Sequence, residues 1–440
     1  MAANKRKFRD LVTPRMGFHY FADTDHYTVK DLSTWLPVLK QINASWLVLL
    51  ADASRAIPEQ FITGLVAGGI KPILHILLPL PNSPAAGEMK ALFKAYARWG
   101  VQHIILYERP NMMHNWSTAG WVQQDLVERF VDRFLPLAST ITQSGMMPIF
   151  PPLEPGGNYW DLSFLKQALQ SIERRGYGEL VQQMGLASYA YTYNHELDYG
   201  SGGPLKWPKT LPYGKSPDSE DQRGFRNFEW LQSAALAACG KELPVFMLGA
   251  GIKEPGYSYS PEIHAGICLN ILDQLRSATE DTAIPDYVQC CNFYLLSAAP
   301  GSMQFDHAWF KTEDDYLPIV DLLLPEVDYN PVAGKGVEKE DADSNINFNH
   351  SHPIDHYLLL PLYDWGVAEY HLEVTRPFIQ KYHPTIGFSI QEAALAKKVT
   401  IIGGEQTFPD DALSALRANG CIVDRVTGDG ISIATQLAER

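Results

Sequence analysis

Residues 101–111 read VQHIILYERPN. The apolar run from Ile104 to Tyr107 has the pattern of a buried strand, and it stops abruptly at Glu108, Arg109, Pro110 and Asn111. A second run, Met146 to Phe150, stops at PPLEPGG, which carries Glu154. A third, Pro244 to Leu248, is followed by Gly249-Ala250-Gly251 and then Glu254. Asp23 and Asp52 also follow apolar runs. Two carboxylates flanking one bond are what glycoside hydrolysis needs: one protonates the leaving oxygen, and the other attacks the sugar or activates water. Glu108 and Glu154 form the first candidate pair, with Glu254 as another possible partner. Acidic residues in such places also cap helices, so each carboxylate has a plain structural reading beside the chemical one.

Aromatic residues crowd the same segments. Tyr20, Tyr107, Trp116, Trp160, Tyr191, Tyr257 and Trp309 are candidates for stacking against the C–H faces of sugar rings. His75, Arg109, Asn111 and Asn194 could hydrogen-bond hydroxyls. Tyr189 and Phe293 read equally well as core.

These residues need a frame that brings strand ends together. Strand-like runs begin near Arg15, Ser45, Lys71, Gln102, Met146, Gly185, Pro244 and Val288, with a helical pattern after each. The helix from about Gly120 to Thr142 contains Pro136, which predicts a kink or an early end. The last helix of the series is predicted over Glu313 to Leu324. Eight strand–helix units in residues 1–325 predict a (β/α)8 TIM barrel, whose strand C-termini gather at one mouth. Between Tyr193 and Phe225 lies an aromatic, Gly- and Pro-rich stretch too long for an ordinary connection, which suggests a lid or binding loop.

From about 326 to 352 large apolar residues nearly vanish, which predicts a linker. From 353 to 440 short strand and helix patterns alternate again, predicting a small α/β three-layer domain.

The 440 residues carry a net charge of −14, with 46% apolar and 20% charged residues. That balance suits a globular fold and argues against nucleic acid or an anionic membrane as partner. No run is long and apolar enough for membrane insertion. Met1 to Arg9 is polar and basic with no apolar stretch after it, so no signal peptide is expected. The five Cys are scattered through apolar segments and read as core thiols. His350, His352 and His356 lack further ligands at metal spacing, and there is no P-loop or G-x-S-x-G motif. No metal or cofactor is expected.

The stretch Tyr107-Glu108-Arg109-Pro110-Asn111 resembles the Asn-Glu-Pro signature that ends the fourth strand in clan A glycoside hydrolases. Aligned on Pro110, Arg109 stands where that clan has its acid/base Glu. At the end of the seventh strand, Gly249 stands where the clan has its nucleophile. The resemblance implies a glycosidase-like barrel with a carbohydrate ligand. The two departures imply that hydrolysis is weak or lost unless Glu108, Glu154 or Glu254 takes over. In the C-terminal part, residues 383–389 (HPTIGFS), 399–406 (VTIIGGEQ) and 423–430 (VDRVTGDG) resemble a type 2 cell-wall-binding repeat. This second resemblance implies a bacterial cell-surface or extracellular setting. The expectation is a glycan-binding barrel with a surface-attachment module. The alternatives are an active glycosidase and a structural component that self-assembles into a layer, filament or particle.

Overall fold

The computed structural model describes residues 13–210, 221–252, 261–277, 283–324, 354–361, 369–382, 384–405 and 407–438. The chain divides into two compact units, Met1–Asn330 and Pro331–Arg440. The expected linker lies outside the described residues.

The first unit is built on strands β1 (Met16–His19), β2 (Trp46–Ala51), β3 (Lys71–Ile76), β4 (His103–Leu106), β5 (Met147–Phe150), β6 (Gly185–Tyr191), β7 (Val245–Gly251) and β8 (Val288–Phe293). They form a closed barrel in chain order, and β1 pairs in parallel with both β2 and β8. Side chains alternate between two environments, as the period of two along a strand requires. Trp46, Val48, Ile73, Ile105, Ile149, Ala187, Tyr189, Phe246 and Leu248 fill the barrel interior. Leu47, Leu49, Leu74, Ile104, Leu106, Leu186 and Met247 pack outward against the helices. Removing each such Leu or Ile from water stabilises the fold by roughly 2 kcal/mol.

Gly17 shows how tightly the interior is filled. A Cβ there would lie 2.3 Å from Asn292 Oδ1 and 2.6 Å from Trp46 Cβ.

Two helices differ from expectation. A short helix, Thr118–Trp121, precedes a long one, Leu126–Gln143, which runs on past Pro136. Phe130, Phe134, Leu137 and Ile141 are all buried along it. Burying those four outweighs the roughly 3 kcal/mol that an interior proline costs. The last helix of the unit is shorter than predicted, Pro318–Leu323, and starts at the proline.

The second unit is a four-stranded parallel sheet. Its strands are β9 (Ile354–Leu359), β10 (Thr385–Gly387), β11 (Ala396–Ile402) and β12 (Ile422–Val426), in the order β10-β9-β11-β12. Leu358, Leu360, Ile402 and Val426 pack against Phe378, Ile433 and Leu437 from helices on one face. Tyr357, Leu359, Val399 and Ile401 pack against Ala393, Leu413 and Leu416 on the other. Helix, sheet and helix make three layers, as the alternation of apolar residues predicts.

Among the described residues no helix is long and apolar enough to cross a membrane. All five cysteines are free thiols, four of them buried.

Candidate functional site

The chain turns sharply as it leaves β4. Tyr107 and Arg109 have φ values of 65° and 46°, a left-handed conformation that costs energy in residues with a Cβ. Neighbours hold it there. Arg109 N–H donates to Pro152 O at 2.9 Å, and Asn115 Nδ2 donates to the carbonyls of Glu108 and Arg109, both at 2.9 Å. His75 Nε2 lies 2.8 Å from Tyr107 O. A carbonyl only accepts, so that nitrogen carries the proton.

The turn aims Glu108 and Arg109 at the barrel mouth. The Tyr189 hydroxyl donates to Glu108 Oε1 at 2.6 Å and accepts from Arg109 Nε at 2.9 Å. The same Nε lies 3.5 Å from Glu108 Oε1 and 3.2 Å from Glu154 Oε2. The guanidinium carbon stands 4.8 Å from the Tyr189 ring centroid. One cation thus bridges two carboxylates and stacks on a tyrosine.

Electrostatics follow from this packing. Burial opposes the charge on Glu108, but His75, Arg109 and the Tyr189 hydroxyl outweigh it and hold the carboxyl below its usual range. Burial also opposes the charge on Arg109, and Tyr189, Glu108 and Glu154 more than offset it. The two histidines behave differently. Burial, aided by His75, pushes His19 down to about 3. Burial also lowers His75, despite the pull of Glu108. His19 Nε2 accepts from Gly249 N–H at 3.1 Å, which fits a neutral ring.

Glu154 is placed by Asn111. The Asn111 side chain is fully buried. Its Nδ2 donates to Glu154 O at 2.8 Å and Tyr159 O at 3.0 Å, and its Oδ1 accepts from Glu154 N–H at 2.9 Å. Asn111 therefore braces the loop after β5, and its hydrogen-bonding groups are spent there.

Gly249 also has a physical reason to be glycine. Its φ is +63°, and a Cβ would meet Tyr191 ring carbons at 2.5 and 2.9 Å and the hydroxyl at 2.7 Å. The Tyr191 ring fills the space that a longer side chain would need.

The structure brings together five of the candidates: Glu108, Arg109, Glu154, His75 and Tyr191. Others sit elsewhere. Tyr20 packs on Tyr27 and Phe61, and Trp309 packs on Phe18 and Phe293, both fully buried between barrel and helices. Tyr107 turns its ring outward to Phe130 and its hydroxyl to Ser83. Trp116 and Trp160 are buried, and Trp116 Nε1 donates to Pro110 O at 2.8 Å. Asn194 is exposed, in a left-handed conformation beyond β6. Glu254 and Tyr257 lie outside the described residues.

Of two further participants, His19 is absent from the candidates drawn from sequence, and Tyr189 reads there equally well as core. Strand alternation was the available signal. Tyr189 shares the inward face of β6 with Ala187 and Tyr191, and His19 shares the face of β1 with Gly17.

On the same face of the barrel, Thr24, Asp25, Asp52, Arg55 and Pro58 are among residues enclosing a cavity of about 230 Å³. None of the clustered residues lines it.

No family model matches this sequence, and neither does any curated protein. Several solved structures are similar to part of this chain. A glucosidase from Croceicoccus marinus is 10% identical with a TM-score of 0.39, over 64% of this chain and 60% of that one. An endo-beta-1,3-glucanase of family GH128 from Sorangium cellulosum is 10% identical with a TM-score of 0.41, over 70% of this chain and 97% of that one. A fructose-bisphosphate aldolase from Plasmodium falciparum is 13% identical with a TM-score of 0.32, over 62% of this chain and 79% of that one. At such identities a likeness carries no chemistry across, and the site must carry the functional argument.

Proposed function

We propose that the barrel binds a polysaccharide or cell-surface glycan at its mouth and that hydrolysis there is weak or lost. The observation that carries this reading is Arg109, which contacts both Glu108 and Glu154 through one nitrogen. A glycosidase needs one carboxyl that still holds its proton at working pH. Here, against burial, His75, Arg109 and the Tyr189 hydroxyl hold the Glu108 carboxyl below its usual range. Arg109 itself stays protonated and cannot serve as the acid. Among the described residues the carboxyl whose pKa is raised is Asp161, and it is fully buried. Gly249 offers no nucleophile, and Tyr191 fills its surroundings. What remains is well suited to holding sugar hydroxyls, with two carboxylates to accept hydrogen bonds, a guanidinium to donate them, and Tyr191 at the wall.

A second reading is supported by the same distances. Contacts of 3.5 and 3.2 Å to one nitrogen keep the two carboxylate oxygens within about 7 Å of each other. Glycosidase pairs span roughly 5 to 9.5 Å. An active hydrolase would then use Glu108 with Glu154. The C-terminal sheet domain is proposed as the surface-attachment module, on the strength of its sequence pattern.

The test is reducing-sugar release from a panel of polysaccharides, peptidoglycan included, by the wild type and Glu108→Gln. Retention on the insoluble members of the panel is measured in parallel. Retention without release supports the binding reading. Release that disappears in the variant establishes the hydrolase. Neither release nor retention shifts the weight to self-assembly.

A further inference from the structure

Asp161 takes no part in the cluster, yet it joins two of the segments around it. It is the first residue of the helix Asp161–Arg174 and follows the loop that carries Glu154. Its side chain is fully buried. Oδ1 accepts from Gly156 N–H at 3.1 Å, within that loop, and from Gln222 Nε2 at 2.6 Å. Gln222 is itself buried and belongs to the limb that returns from the long excursion after β6. Oδ2 is buried with no hydrogen-bond partner among the described residues. The titratable groups nearby are Glu154 on the same loop, Tyr193 beyond β6, and Asp221 and Arg223 on the return limb, which pair with each other.

We propose that Asp161 is a positioning residue whose protonated carboxyl fastens the Glu154 loop to the return limb, and that losing the proton loosens the fastening and weakens ligand binding at the mouth. The ligand half of this statement rests on the glycan reading; the fastening does not. As a neutral acid, Asp161 keeps both bonds to Oδ1 without placing a charge where water does not reach. As an anion, it carries a charge shut off from water, with Oδ2 outside hydrogen-bonding geometry, and opening the loop to water relieves this. The direction of the pKa agrees: burial raises it from 3.8 to about 7 despite the bonds from Gly156 and Gln222 and the nearby N–H groups of Asp161 and Leu162. The closed loop thus binds the proton more tightly than the open one. Closure is strongest near pH 4, weakens as pH rises, and levels off above about 7.

The experiment is amide hydrogen exchange of the whole chain, read on peptides covering 154–160 and 221–226 and corrected for the intrinsic pH dependence. Wild-type protection should fall by at least about tenfold between pH 5 and 7, one decade being the linkage limit for each pH unit. Asp161→Asn, which cannot ionise, should keep its protection constant over that range. Gln222→Met leaves Asp161 in place and should speed exchange in both segments at pH 5 by about fivefold, the worth of one hydrogen bond. A flat wild-type profile, a slope of opposite sign, or a slope that survives in Asp161→Asn would overturn the proposal. If the profile behaves as stated while the chain is retained on none of the panel's insoluble glycans, the fastening stands and the glycan reading fails.

Discussion

Replacing Arg109 with Met keeps most of the side-chain bulk and removes the charge. In the wild type the guanidinium neutralises two carboxylates that lie within about 7 Å of each other. At an effective dielectric of about 20 their mutual repulsion would be about 2.4 kcal/mol. The Glu108 side chain is 37% exposed, so solvent screening should cut this to about 1 kcal/mol. Loss of the contact to the more buried Glu154, 15% exposed, adds about 1 to 2 kcal/mol. The variant should therefore be about 2 to 3 kcal/mol less stable than the wild type at pH 7. The pH dependence has a definite sign. The folded-state pKa of Glu108 is depressed. Its contribution is present above the unfolded value of 4.5 and fades as pH falls through the lower folded value. The gap between the two proteins should consequently be smaller at pH 3 than at pH 7, because the stabilisation from Glu108 fades as pH falls. Denaturant unfolding of the barrel, followed by tryptophan fluorescence at the two pH values, measures both gaps. A gap that is the same at pH 3 and pH 7, or absent at both, would show that Arg109 does not hold down the titration of Glu108.

Three further substitutions probe the rest of the site. Tyr189→Phe keeps the ring under Arg109 but removes the hydroxyl between Glu108 and Arg109. Its Glu108 carboxyl should titrate higher than in the wild type, read by carboxyl-carbon NMR, and unchanged titration would discount the hydroxyl. Gly249→Ala should cost more than about 2 kcal/mol, because it combines a positive φ with a Cβ 2.5 Å from the Tyr191 ring; wild-type stability would mean that the ring moves aside freely. Asn111→Ala removes three hydrogen bonds to the loop after β5 and should cost about 2 to 4 kcal/mol, with faster proteolysis of that loop. An intact loop at wild-type stability would show that Asn111 is not its brace.

The barrel was legible because strand and helix periods differ and eight alternations can close in few ways. The bound of the long helix was misjudged because propensity speaks for one residue, Pro136, whereas burial of Phe130, Phe134, Leu137 and Ile141 acts together. The site was legible in part. Glu108, Arg109 and Glu154 stand at strand ends, and topology alone brings such positions to one mouth. Orientation was harder to read. Tyr20 and Trp309 belong to apolar clusters that form only when helices dock, and no local pattern separates their rings from those lining a cleft. Asn111 looks like a sugar ligand by type and is used as a brace, because the loop after β5 offers it three backbone partners. Tyr189 and His19 needed the inward phase of β6 and β1, which alternation supplies once the barrel is assumed. The pairing of Asp161 with Gln222 spans 61 positions and could be read only from the fold.

The central claim is that the mouth holds a glycan through charges that Arg109 keeps fixed. Its most direct test is depletion of the whole chain from solution by insoluble polysaccharides, with released sugar counted in the same tubes, for the wild type and Arg109→Met. The wild type should be retained on at least one glycan with no sugar released, and Arg109→Met should be retained at least about tenfold more weakly, the loss expected when a donor to the ligand disappears and two carboxylates are left to repel each other. Sugar released by the wild type, or retention that ignores the loss of Arg109, would contradict it.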